Sequence, residues 1–204
     1  KRRILDSSVP VTILSGEELD QNQAATLGET LKNVPGVHSS YFGPVASSPI
    51  IRGLDGPRIM VLQNGLGASD ASRVGPDHQV STETSTASQI EILRGPATLL
   101  YGSGAIGGVV NVVDNRLPIN RQEGISGEVF SQYDNAADAK TLSTDLNAGA
   151  GDFAVHIDAY NRSTGDYKIP VPANINEQGG SSKLSNSAMN SDGYNLGAGW
   201  IQDN

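Results

Sequence analysis

Residues 90–113, IEILRGPATLLYGSGAIGGVVNVV, decide the fold of this chain. Residues 89–93 and 109–113 are β-branched or alternate in polarity, which predicts two strands. Residues 95–102 between them are too short for more than one or two helical turns. Further strands are predicted at residues 9–14 and 58–62. The first part of the chain is therefore expected to be a compact α+β domain with glycine-rich connections.

Two short helices are predicted ahead of this stretch. Thr26 and Glu29 match a capping box, which predicts a helix that runs to residue 34 and ends at Pro35-Gly36. A second helix is expected after Ser15, whose hydroxyl is a candidate N-cap in front of two glutamates. Those glutamates favour the positive end of the helix dipole, so they are interpreted as helix-capping charges.

The glycines in the central stretch also match a nucleotide-binding spacing. Gly102, Gly104 and Gly107 fit G-x-G-x-x-G, but that loop must open a helix whose N-terminus meets a pyrophosphate. Here residues 109–113 continue as a strand, so the glycines are interpreted as a turn in which backbones pack closely. The chain also lacks the G-x-S-x-G nucleophile elbow. The sequence therefore predicts that the protein is not an enzyme.

Residues beyond about 118 follow a different pattern. Four segments of about 8 to 11 residues alternate between apolar and polar or small residues, the length and pattern of tilted membrane-spanning strands. A tight turn at 149–152 and a long polar loop at 163–192 separate some of these segments. A soluble antiparallel sandwich alternates in the same way, so the pattern alone leaves both architectures open. The segments are residues 125–133, 142–148, 153–160 and 194–200.

Composition limits the function further. The 204 residues carry 14 Lys and Arg against 22 Asp and Glu, with a net charge of −8 and no cysteine. An acidic chain is a poor partner for nucleic acid phosphates, and without cysteine there is neither a disulfide nor a thiolate metal site. The acidic excess lies mostly after residue 119, where 5 basic residues stand against 11 acidic ones.

One adjacent pair has the chemistry of metal ligands. Asp77 and His78 follow a Gly75-Pro76 bend in a polar stretch. A carboxylate and an imidazole side by side on a turn can both reach one divalent ion, and such N/O ligands suit zinc or a similar metal. A metal site needs at least three ligands, so the pair alone does not define one.

Four motifs in order give the chain a family resemblance. Residues 27–37 (LGETLKNVPGV), 51–53 (IRG), 58–65 (RIMVLQNG) and 90–113 resemble the plug domain of TonB-dependent outer-membrane receptors. The resemblance implies a plug at residues 1–118 that fills a barrel lumen, and the first strands of that transmembrane β-barrel at residues 119–204. It also implies residence in the Gram-negative outer membrane, in contact with its lipid.

The resemblance carries expectations about transport. It implies energy-coupled uptake of a scarce solute, driven by the TonB complex through a short box expected upstream of Lys1. Four strands do not close a barrel, so the chain is expected to be the N-terminal portion of a longer receptor. Arg52, Glu91 and Arg94 occupy motif positions that are expected to form ion pairs with the barrel wall.

The stretch 72–79 (SRVGPDHQ) resembles the segment that zinc-uptake receptors of this family present towards the outside. By this resemblance Asp77 and His78 are the candidate metal ligands, and the remaining ligands are expected from barrel loops beyond residue 204. No cofactor is required, since zinc is expected as the transported solute. The absence of histidine from residues 163–192 weighs against a metal-capturing loop there. The alternatives are a ferric-siderophore or haem receptor and, in another class, a soluble β-sandwich binding module.

Overall fold

The computed structural model describes residues 11–68, 74–75, 78, 80, 82–172 and 181–202. The chain falls into two units, Lys1–Asp114 and Asn115–Asn204. The sequence placed the boundary between plug and barrel strands four residues later, after residue 118. Among the described residues, no helix is long and apolar enough to cross a membrane.

The described residues of the first unit form two short helices and seven short strands. Helix α1 spans Glu17–Asn22 and α2 spans Leu27–Leu31. Short 3₁₀-helices occupy Gly56–Arg58, Pro96–Tyr101 and Ser103–Ala105. The strands are β1 (Val11–Ser15), β2 (Val37–Ser39), β3 (Pro49–Ile51), β4 (Ile59–Gln63), β5 (Leu66–Gly67), β6 (Ala87–Leu93) and β7 (Gly108–Asp114).

Five of these strands form a mixed sheet in the order β1-β6-β7-β4-β5. Only β4 and β7 are parallel neighbours, and the other pairs are antiparallel. One face of the sheet packs on the helices through a cluster that includes Leu27, Leu31, Ile90, Ile92 and Val110. The predicted α+β domain is confirmed, and the glycine motif at 102–107 leads into strand β7 as expected.

The helix ends follow local chemistry. The Thr26 hydroxyl accepts a hydrogen bond from the backbone N–H of Glu29, which confirms the predicted cap of α2. A side chain on Gly28 would overlap Ser47 and Ser48, so glycine permits the close approach. The Ser15 cap is wrong, because Gly16 occupies the N-cap with a φ of 56° and makes no side-chain hydrogen bond. Helix α2 also ends three residues earlier than predicted, at Leu31.

The second unit is built around four long antiparallel strands. Their order in the sheet is β13-β10-β9-β8. The turn between β9 and β10 has only two residues, Gly151 and Asp152, whereas the loop from β10 to β13 contains the small β11–β12 hairpin. The strands are β8 (Gly124–Asp134), β9 (Ala139–Ala150), β10 (Phe153–Thr164), β11 (Tyr167–Lys168), β12 (Lys183–Leu184) and β13 (Met189–Trp200).

The two faces of this sheet have an inverted polarity. Large apolar side chains on one face are exposed, as for Ile157 at 47%, Leu196 at 76% and Trp200 at 73%. The opposite face is polar and buried, as for His156 at 1% and Asp158 at 0%. A soluble sandwich buries its apolar face, whereas a membrane barrel turns that face to lipid and its polar face to the lumen. The prediction of transmembrane barrel strands is therefore confirmed over the sandwich alternative.

Candidate functional site

His78 lies in the connection between β5 and β6. Its side chain is exposed, and its backbone N–H donates to the carbonyl oxygen of Gly75 at 3.4 Å. Two residues further on, Val80 is 4% exposed and belongs to the core of the first unit. The Val80 carbonyl accepts from the N–H of Thr82 at 2.8 Å. The connection is thus fixed to the core close to a solvent-facing imidazole.

The predicted metal pair includes Asp77, which lies outside the described residues. Within the part of the chain that the structure describes, no group of three or more His, Cys, Asp or Glu side chains is placed to hold a metal ion. A pair on this connection needs further ligands from other segments. The assignment of Asp77 and His78 as metal ligands stays a prediction.

A second polar site lies on the buried face of the four-stranded sheet. The His156 ring contacts the Asn147 side-chain oxygen through Nδ1 at 2.7 Å and the Asp158 carboxylate through Nε2 at 2.9 Å. The other carboxylate oxygen of Asp158 accepts from the Asn195 amide at 2.8 Å. The strand register explains this convergence, because His156 stands opposite Asn147 and Asp158 stands opposite Asn195.

The orientation of Asn147 defines how the ring is held. The Asn147 Nδ2 donates to Asp145 at 2.8 Å, which leaves its oxygen facing His156. Both nitrogens of the ring therefore face side-chain oxygens, one from Asn147 and one from Asp158. The alternation of residues 142–148 and 153–160 predicted a polar face on these strands but assigned His156 no role. His156 and Asp158 are two residues apart on one strand, and this spacing was the feature of the sequence that could have placed them on the same face.

Glu91 and Arg94, which are predicted to contact the barrel wall, form hydrogen bonds within the first unit. The Glu91 carboxylate accepts from Gln89 at 2.8 Å and from Asn111 at 2.9 Å. The Arg94 guanidinium donates to the Pro35 carbonyl at 2.6 Å and to the Thr12 hydroxyl. These bonds tie strands of the same unit together. Ion pairs of Glu91, Arg94 and the exposed Arg52 with a barrel wall stay predictions.

The connections at the long-loop end of the second unit are bound to each other. The β11 strand is held at the turn 135–138 by hydrogen bonds from Gly165 to Ala137 at 2.7 Å and from Lys168 to Ala136 at 2.8 Å. The Lys168 ammonium also pairs with Asp138 at 3.2 Å. The hydrogen bond and the charge of Lys168, and then the hydrogen bond of Tyr133, lower the pKa of Asp138.

An α+β unit followed by strands with a buried polar face defines an outer-membrane receptor with a plug. The sequence profile of the TonB-dependent Receptor Plug Domain matches residues 3–109. This match covers more than half of the chain, so the chain belongs to the TonB-dependent receptor family. It resides in the outer membrane, and its relatives are receptors and transporters and not enzymes.

Solved structures share this fold at low sequence identity. The copper transporter OprC is 21% identical and matches 97% of this chain with a TM-score of 0.75. The ferric enterobactin receptor PfeA of Pseudomonas aeruginosa is 20% identical over 80% of this chain, with a TM-score of 0.63. The siderophore receptor PirA from Acinetobacter baumannii is 20% identical over 82%, also with a TM-score of 0.63. The chain spans 26% to 29% of the length of these proteins.

Proposed function

We propose that this chain supplies the gate and the first wall strands of a transporter that takes up a scarce metal ion, with zinc as the cargo. The observation that carries the proposal is the Asp77-His78 pair, which follows Gly75-Pro76 directly in the sequence. His78 is exposed, and Val80 fixes the same connection to the core. An exposed imidazole next to a carboxylate offers the N/O donors that zinc prefers.

Transport of this kind needs no covalent chemistry. The cargo binds to the plug, and energy passed from the inner membrane by the TonB complex rearranges the plug so that the cargo passes. Binding of the TonB complex is proposed through an extended segment upstream of Lys1 that pairs as an added strand. The remaining zinc ligands are proposed on barrel loops outside this chain, because two side chains do not complete a zinc site.

The polar face of the wall supports a barrel interior of polar character. His156, Asp158 and Asn195 are hydrogen-bonded to one another and present no apolar surface at that level of the sheet. The interior of a membrane barrel is polar for the same reason that its exterior is apolar. The exposed face with Ile157 and Leu196 contacts the lipid.

The proposal is tested by zinc titration of the full-length receptor by calorimetry. Replacing Asp77→Ala and His78→Ala together is expected to weaken zinc binding by about tenfold or more, because two ligands are lost. His38→Ala is the matched control, since His38 is an exposed histidine of the same unit and lies on β2. Equal zinc affinity in the double variant and in the unchanged receptor would exclude this pair as ligands.

A ferric siderophore is the second candidate cargo, and haem is a related one. PfeA and PirA, whose folds match about four fifths of this chain, are receptors for siderophores. OprC, which matches over 97%, is a copper transporter, so the fold accommodates either kind of cargo. Binding of a ferric siderophore by the full-length receptor, together with no measurable zinc binding, would replace the zinc proposal with this one.

A further inference from the structure

The segment 116–122, which joins the two units along the chain, lies against the buried face of the four-stranded sheet. A side chain placed on Gly197 would overlap the carbonyl oxygen of Arg116. One on Gly199 would overlap the Pro118 carbonyl, and one on Gly149 would overlap the Gln122 carbonyl. The segment therefore touches β13 and β9 backbone to backbone, at positions where any residue larger than glycine is excluded.

The strand register makes these glycines one continuous feature. Ala154 on the central strand β10 stands between Gly149 and Gly199, and it is completely buried. Gly124 pairs with Gly149 at the start of β8. A row of small residues thus runs across all four strands at the level where the segment crosses. The next row towards the long loops contains Asn147, His156 and Gly197, so the contact of Gly197 with the segment lies in the same row as the polar network.

An ion pair fixes the same segment from a second direction. The Arg121 guanidinium binds the Asp152 carboxylate at 2.5 Å. Asp152 belongs to the two-residue turn between β9 and β10, which is the tightest connection of this sheet. Gly124 then turns the chain into β8 with a φ of 82°, a value that favours glycine. The segment is therefore held by glycine contacts at Arg116, Pro118 and Gln122 and by a charge pair at Arg121.

We propose that residues 116–122 are an anchor that ends the movable part of the plug, so that a pull on the first unit is resisted at Arg116 and does not reach strand β8. This inference rests on the proposed function, since it assigns a role within plug rearrangement. Several backbone contacts and one ion pair must separate together before the anchor leaves the sheet. Rearrangement confined to residues before 115 requires none of these contacts to break.

The anchor is tested by hydrogen exchange of the full-length receptor in detergent micelles, without TonB and without any solute. Gly197→Val and Gly199→Val place a β-branched side chain where the segment lies, while valine itself favours a strand. Exchange of the amides at 119–122 is expected to become about tenfold faster or more, because the segment is displaced. Ala198→Val is the matched control, since Ala198 lies between the two glycines on the exposed face.

The outcomes separate the anchor from transport. Heat-modifiable migration on gels first establishes that each variant forms its barrel. Unchanged exchange at 119–122 in folded Gly197→Val and Gly199→Val would overturn the anchor. If neither variant folds, Arg121→Ala takes their place: faster exchange at 120–122 supports the anchor, and unchanged exchange overturns it. Absence of zinc binding with faster exchange would reject the proposed cargo and leave the anchor intact.

Discussion

The two units of this chain use the same strand alternation with opposite polarity. In the first unit, Ile90, Ile92 and Val110 are fully buried, whereas Glu91, which alternates with the two isoleucines on β6, is only partly buried. In the second unit, Ile157, Leu196 and Trp200 are exposed and the buried face carries His156 and Asp158. The period of two tells which residues share a face, but the medium on each side decides which face is apolar. The same chain therefore contains one unit whose apolar core excludes water and one sheet whose apolar face suits a lipid environment.

This difference changes what stabilises each unit. The first unit is stabilised by removing apolar surface from water, at about 25 cal/mol per Å². The sheet of the second unit presents its apolar surface to lipid, so its specific contacts are the strand hydrogen bonds and the polar network. Substitutions of one kind are thus expected to act differently in the two units, and the predictions below test that expectation from the largest effect to the smallest.

The largest effect is expected in the core of the first unit. Ile92→Ala removes a fully buried side chain from β6 and is expected to lower the free energy of unfolding of this unit by about 2–5 kcal/mol. The loss is measured by urea titration of the full-length protein with hydrogen exchange of the β6 and β7 amides. Leu66→Ala on exposed β5 is the control, expected within about 0.5 kcal/mol. Equal losses would refute a water-excluding core around Ile92.

A charge on the exposed face of the second unit comes next. Leu196→Arg is expected to destabilise the wall by about 2–4 kcal/mol in lipid vesicles, because arginine is costly near the bilayer midplane. Asn190→Arg lies on the same strand and face but near the long-loop end, and about 0–1 kcal/mol is expected there. Urea unfolding of the vesicle-embedded receptor measures both. A similar cost at both positions would contradict the lipid-facing band.

The polar network should give a smaller loss. His156→Ala leaves the buried carboxylate of Asp158 and the amide of Asn147 without their shared partner, and about 1–3 kcal/mol of stability is expected to be lost. The same vesicle-based urea titration measures it. His38→Ala, which removes an exposed imidazole, is expected to change stability by less than about 0.5 kcal/mol. Unchanged stability in His156→Ala would mean that the network contributes nothing to the wall.

The smallest effect concerns the loops outside the membrane. The pKa of Asp138 is lowered, first by the hydrogen bond from Lys168. The pKa of Asp138 is lower in the folded protein than in the unfolded one. The contact with Lys168 therefore stabilises the loop at pH values above the ordinary pKa of aspartate, and this stabilisation is lost as the pH falls through the lowered pKa. Carboxyl NMR titration of the full-length protein should give a pKa below that of an exposed aspartate. Lys168→Ala should raise it, and an unchanged value would disprove the cause.

Much of the fold was predictable because local chemistry determines it. Thr26 and Glu29 specify a helix start, and the strands at 89–93 and 109–113 follow from β-branched residues. The wall strands were predicted from alternation alone, with ends extended by a few residues in the structure. The Ser15 cap failed because Gly16 adopts a positive φ, so the chain entered α1 one residue later than a serine cap requires.

The candidate sites depended on long-range geometry that the sequence does not encode locally. The network of Asn147, His156 and Asn195 requires three strands in one register, and the two-residue turn sets only the register of β9 with β10. The close approach of Gly197 to the Arg116 carbonyl brings together residues that are far apart in sequence. The alternation predicted that Gly197 and Gly199 lie on the polar face, but it did not predict that residues 116–122 lie against them. The Asp77-His78 pair rests on local chemistry and family resemblance.

The two-residue turn at Gly151 and Asp152 has a consequence for how this sequence can change in length. Loss of one residue at the end of β9 next to this turn would shift the register by one, and the preceding side chains of that strand would exchange faces. Asp145 and Asn147 would then meet lipid, and Leu146 would meet the polar network. In related receptors, the lengths of the strands are therefore expected to stay constant, and insertions and deletions are expected in the connection between β10 and β13.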